Sequence, residues 1–84
     1  MSSHAARQMA KRGIPETIVW AVLANPYRVS AGDRVGRRVF QAVAAIADLT
    51  FRALVRVVVD DLDSPPAVVT VYATTQFRRY GAEP

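Results

Sequence analysis

Cysteine is missing altogether from the 84 residues. Disulfides and thiolate metal sites are thereby excluded, which fits a reducing compartment. Histidine occurs once, as His4. With no cysteine and few carboxylates beside it, the sequence points to no metal and no cofactor. Long apolar runs are also lacking: none approaches the ~20 residues that span a bilayer, and no basic-then-apolar leader opens the chain. The expectation is a cytoplasmic chain of bacterial style, complete from Met1, with no membrane partner. There is no Ser/His/Asp arrangement, no phosphate-cradling glycine loop and no paired-carboxylate motif. Asp60, Asp61 and Asp63 read as a solvated acidic loop with too few oxygen ligands for a hard cation.

What is present suffices for one small domain, residues 1–84. Hydrophobic residues make up 51% of the chain, enough for a single core, although a chain of this size buries only about 60–65% of its unfolded surface. The net charge is +4, and all but one of the eleven basic residues are arginine. Arginine offers a planar fork of donors that meets phosphate bidentately and stacks on bases. A GC-rich genome yields the same arginine excess, so charge alone is a weak signal.

The most informative stretch is Phe51 to Asp60, which alternates. Phe51, Val55, Val57 and Val59 share one face of a strand; Arg52, Arg56 and Asp60 share the other. One face is committed to a core and the other presents arginines, so that removing Arg56 is expected to change stability by no more than roughly 0.5 kcal/mol. Before this strand, Ser2 or Ser3 is an N-cap for a helix through about Arg12, with Gly13 as a left-handed C-cap. Pro15 opens a second helix that Asn25-Pro26 stops. Trp20 lies off its apolar stripe, so either that helix is buried nearly all round or Trp20 meets a partner. Tyr27 to Ser30 is a short strand candidate and Ala31-Gly32-Asp33 a turn.

Val35 to about Ala45 reads as a long strand turning near Ala47-Asp48, although Gln41 to Leu49 also suits helix. Its facing stays open, with Val35, Val39 and Val43 competing against Phe40 and Ile46 for the core. Ala67 to Thr74 is the last strand, with Val69, Val71 and Ala73 inward and Thr70, Tyr72 and Thr74 outward. A basic, aromatic tail follows at Phe77-Arg78-Arg79-Tyr80. Two helices ahead of three or four meandering strands predict an α+β fold, the helices covering one face of an antiparallel sheet.

The uncovered face then gathers Arg52, Arg56, Thr70, Tyr72 and Thr74, with Arg37 or Arg38 joining according to the facing of the second strand. Cations for phosphate and a ring for stacking suit an RNA strand. The plainer reading is that Thr and Tyr are good strand formers and that the charges are solvated. His4 has the pKa range for acid–base work, against the plainer reading of a surface or capping residue.

The run His4-Ala5-Ala6-Arg7-Gln8-Met9-Ala10-Lys11-Arg12-Gly13-Ile14, with Asn25-Pro26, Val68-Val69-Thr70-Val71-Tyr72 and Arg79-Tyr80, resembles a small bacterial domain-of-unknown-function family (DUF4258-like). Its members open His-Ala-x-x-Arg-Met-x-x-Arg-Gly-Ile; Gln8 stands where that pattern carries arginine. The family looks like a branch of the RelE, barnase and colicin-type ribonuclease superfamily. The resemblance implies a RelE-like toxin-type fold acting on RNA, and an antitoxin or a homodimer as protein partner. For a metal-independent endoribonuclease, His4, Arg12, Arg56 and Tyr72 are the catalytic candidates, with Tyr80 the alternative to Tyr72 as secondary acid. Lys11, Arg38, Arg52, Thr70, Arg78 and Arg79 are the nucleic-acid-binding candidates, and Trp20 the partner-binding one. The alternatives are a non-catalytic protein-interaction module or a nonspecific nucleic-acid binder.

Overall fold

The structure is a computed structural model that describes residues 1–45, 52–62 and 65–80. Helices α1 (Ser3–Arg12) and α2 (Glu16–Ala24) precede strands β1 (Arg28–Ala31), β2 (Arg37–Ala45), β3 (Arg52–Asp60) and β4 (Ala67–Thr74), and a 3-10 turn (Arg78–Tyr80) follows. The strands form one antiparallel sheet in the order β1-β2-β3-β4. The fold is therefore α+β, as the segregated elements predict. The expected turn at Ala47-Asp48 and the facings of Ile46 and Phe51 lie outside the described residues.

The helix boundaries follow local chemistry. Ser2 caps α1, its Oγ accepting from the Ala5 N–H at 3.1 Å. Gly13 ends the helix at φ 65°, where a side chain is disfavoured. Pro15 is the N-cap of α2 and Asn25 its C-cap.

The core lies between the helices and one sheet face. Ala5 and Met9 of α1 and Val19 and Val22 of α2 pack with Ala53, Val55, Val57 and Val59 of β3 and Val71 of β4. Full burial of each such valine is worth about 1.5–3 kcal/mol, so β3 anchors the fold as its alternation requires.

Three facings differ from expectation or settle what was open. Phe40 pairs with Val57 and Ala42 with Val55, so Phe40, Ala42 and Ala44 face the helices and Val39 and Val43 the other side. The small Ala42 and Ala44 let α2 approach the sheet. Val35, expected inside β2, is exposed in the preceding turn. In β4 a bulge opposite Val58/Val59 pairs Val59 with Val68 and Val58 with Thr70. The extra residue shifts the pleat, so Val68 rather than Val69 joins the core.

Candidate functional site

The face away from the helices carries the site, and the pairing register assembles it. On three adjacent strands Gln41, Arg56 and Tyr72 lie side by side, Arg56 opposite Gln41 in β2 and Tyr72 in β4. Val39, Val58 and Thr70 form the next row, and Arg37 with Asp60 the row beyond. Residues opposite one another on neighbouring strands share a face, so one sheet surface brings Arg37, Arg56, Thr70 and Tyr72 together.

These side chains line a cleft of about 340 Å³ with Gly32 and Asp33 of the β1–β2 turn on its rim. Gly32 is required there: a Cβ on it would lie 2.8 Å from Arg37 Cβ. The Gly32 N–H also donates to the Arg37 carbonyl at 2.7 Å, which closes the turn beside the cleft.

Arg56 is held from three sides. Its Nε donates to Gln41 Oε1 at 3.0 Å, and one terminal nitrogen donates to the Tyr72 hydroxyl. The Tyr80 ring centroid lies 3.9 Å from the guanidinium carbon, a stacking distance for a cation on an aromatic face. Gln41 is only 1% exposed, and its Nε2 donates to the Tyr80 carbonyl at 2.9 Å. Burial raises the pKa of Tyr72, its hydrogen bond with Tyr80 adds to the rise, and the Arg56 charge opposes it. The phenol thus keeps its proton well past neutrality. A fixed guanidinium beside a protonated phenol and the Thr70 hydroxyl is a donor surface suited to an anionic oxygen.

The other sequence candidates are placed elsewhere. Of Arg37 and Arg38, between which the sequence left this face open, Arg38, the nucleic-acid-binding candidate, lies on the other side. Opposite Val59 it sits on the helix side, where its NH2 donates to Asp61 Oδ1 at 3.0 Å and its guanidinium lies 5.0 Å from the Phe40 ring centroid. The Asp61 carboxyl is lowered by this partner. Arg37 takes the place instead, with its Nε 3.9 Å from Asp60 Oδ2. Arg52 shares the face but is exposed and sits about 13 Å along β3 from Arg56.

His4, Lys11 and Arg12 are exposed on α1, whose buried residues pack on the opposite side of the sheet. His4 and Arg12 are about 12 Å apart along that helix, so they do not converge with each other. Lys11 and Arg12 occupy its last turn, where cations favour the helix dipole. Gln8 accepts from the Val71 N–H. Arg78 is exposed, and Arg79 donates to Gln76 Oε1 at 3.3 Å. Trp20 is 50% exposed and bonds Glu16 Oε1 at 3.1 Å.

Sequence reasoning missed Gln41 and Asp33. A glutamine between Phe40 and Ala42 is a visible signal only when the facing of β2 is known. Among known families, one described as "Domain of unknown function (DUF4258)" matches residues 1–73. Comparison with curated proteins and with solved structures gives no match.

Proposed function

For a chain that belongs to the DUF4258 family, we propose an RNA-directed, toxin-like function exercised by the cleft on the open sheet face. The observation that carries the reading is Arg56: half-buried, tied to Gln41 and Tyr72, and stacked on Tyr80. An arginine fixed before its ligand arrives loses little freedom on binding, and its free N–H groups fit a phosphate oxygen. Arg37 adds a second cation and Thr70 a hydroxyl in the same cleft. Two helices ahead of an antiparallel sheet support a place beside the RelE, barnase and colicin-type ribonucleases; a cytoplasmic setting and an antitoxin as protein partner are part of the same proposal.

The reading extends to metal-independent endoribonuclease chemistry, in which the RNA 2′-hydroxyl attacks the adjacent phosphate and the 5′-oxygen leaves with a proton. That reaction needs an acid, a base and charge stabilisation. Tyr72 keeps a proton to donate, Asp33 is a carboxylate on the cleft rim, and Arg37 and Arg56 meet the phosphate. His4, on α1, is apart from this set.

The test is binding and cleavage of a short single-stranded RNA, with and without EDTA. Arg56→Ala should weaken binding by roughly 10–100-fold, the range for hydrogen bonds to a charged group. It should also reduce the slope of log affinity against log salt by about one. Undiminished binding and slope in folded Arg56→Ala would sink the reading.

A second reading, a protein-interaction module, is favoured by Trp20. Its half-exposed ring on α2 has the character of an interface anchor.

A further inference from the structure

The open face is not bare. Gln41 and Leu54 project from it, yet each is almost wholly buried. After β4 the Gln76 N–H donates to Thr74 Oγ1 at 3.0 Å, a side-chain turn that redirects the chain. The following residues return over the sheet and end in the Arg78–Tyr80 turn, with the Tyr80 carbonyl on Gln41 and the Tyr80 ring on Arg56. This strap lies beyond the residues matched to the family.

Gln41 links the strap to the cleft with a defined polarity. A backbone carbonyl only accepts and an arginine Nε only donates. The amide can satisfy both in one orientation alone: Nε2 toward Tyr80 and Oε1 toward Arg56. Turned over, it would place oxygen against oxygen and N–H against N–H inside a buried site. The order Tyr80 carbonyl, Gln41 amide, Arg56 guanidinium, Tyr72 hydroxyl therefore fixes the Arg56 plane edge-on, while the Tyr80 ring fixes it from one face.

We propose that Gln41 and Tyr80 are positioning residues, and that the C-terminal strap presets Arg56 as a phosphate clamp in the Arg37–Arg56–Tyr72 cleft. The proposal rests on the RNA-directed reading only for the identity of the ligand. The positioning itself concerns Arg56 and any phosphate group. It also explains why a polar Gln41 is buried on a face whose neighbours Val39 and Leu54 are apolar: an apolar residue there would leave Arg56 Nε and the Tyr80 carbonyl without partners.

The experiment is NMR of the arginine Nε–Hε groups in the full chain, with inorganic phosphate and a short single-stranded RNA as the probes. In the unaltered protein the Arg56 Hε should exchange with water far more slowly than that of exposed Arg52, and its resonance should shift on adding phosphate. Gln41→Leu should abolish the slow exchange and weaken phosphate and RNA binding by roughly 10-fold or more, the loss of a charge-assisted bond. Tyr80→Ala should weaken both by about 3–10-fold. Tyr80→Phe, which keeps ring and carbonyl, should restore both readouts.

Melting curves for each variant separate positioning from loss of fold. Arg56 exchange as fast as Arg52's in the unaltered protein overturns the proposal without any variant. So does wild-type phosphate affinity in folded Gln41→Leu and Tyr80→Ala. If Arg56→Ala binds RNA normally, RNA is excluded as the ligand of the cleft, and the phosphate titration still decides the positioning.

Discussion

Gln8 Oε1 accepts a hydrogen bond from the Val71 N–H at 3.1 Å, so a helix side chain closes the outer edge of the last strand. Ser2 continues this seal, its N–H donating to the Val68 carbonyl at 2.8 Å. A bare strand edge is a template for unwanted pairing, and α1 covers this one. The position where the resembling pattern carries arginine is thus an acceptor in this chain, and arginine has no acceptor.

Gln8→Arg is accordingly expected to destabilise the fold by about 1–3 kcal/mol, the cost of an orphaned buried donor. At about 4–8 °C per kcal/mol for a domain of this size, a melting curve resolves it. Gln8→Glu keeps an acceptor and should melt close to wild type. Equal melting of the Arg and Glu variants would mean that this bond contributes nothing.

Three substitutions along β3 should rank by facing and by partners. Val57→Asp places an unpaired carboxylate in the core and should cost beyond about 4 kcal/mol. Arg52→Ala, at an exposed site, should stay within roughly 0.5 kcal/mol. Arg56→Ala falls between them, at about 1–3 kcal/mol, because it deprives buried Gln41 of a partner. Alternation alone leads to a near-neutral effect, whereas the bonds of Arg56 to Gln41 and Tyr72 lead to the larger one. Denaturant unfolding of the three proteins gives the order, and an Arg56→Ala value matching Arg52→Ala would contradict the network.

The Arg38–Asp61 pair sets an acid-side dependence. Its hydrogen bond to Arg38 holds the Asp61 carboxyl below its ordinary value. A folded pKa below the unfolded one means the contribution is present above the unfolded value, about 3.9, and fades as pH falls through the folded one. NMR titration should place the Asp61 midpoint below about 3.9 and return it toward that value in Arg38→Ala. No movement on losing Arg38 would assign the shift to another cause.

Tyr72 sets the opposite, alkaline limb. Burial and the bond with Tyr80 raise its pKa, so the folded state holds this proton more tightly than the unfolded chain. Its contribution is complete below the ordinary value near 10 and is lost as pH rises through the folded one. In Tyr80→Phe both raising causes that come from Tyr80, its hydrogen bond and its charge, disappear, and the Tyr72 ionisation followed by ultraviolet absorbance should move down. An upward move would show that Tyr80 does not raise it.

Trp20 supplies the test of the partner reading. Its emission should be red-shifted in the isolated chain, and Trp20→Ser should leave the melting temperature nearly unchanged while abolishing association with a second protein or copy. A marked fall in melting temperature would instead make Trp20 part of the packing.

Local chemistry determined a good deal by itself. Ser2, Gly13, Pro15 and Asn25 mark helix ends because capping needs only nearby backbone groups. The alternation in β3 committed Val55, Val57 and Val59 to the core because a pleated strand has two faces and Arg52, Arg56 and Asp60 all fall on the other. The facing of β2 was not legible, since Val39 and Val43 on one side and Phe40 on the other are comparably apolar. Only pairing with β3 decided it, sending Arg38 to the helix side and Arg37 and Gln41 to the cleft. The bulge that exchanged Val69 for Val68 is likewise a property of two strands rather than of one. The Gln41–Arg56–Tyr80 contact joins residues far apart in the chain, and no spacing rule reaches across that distance. Periodicity reports which face a residue occupies, whereas which residues meet on that face is a matter of register and of where the chain returns.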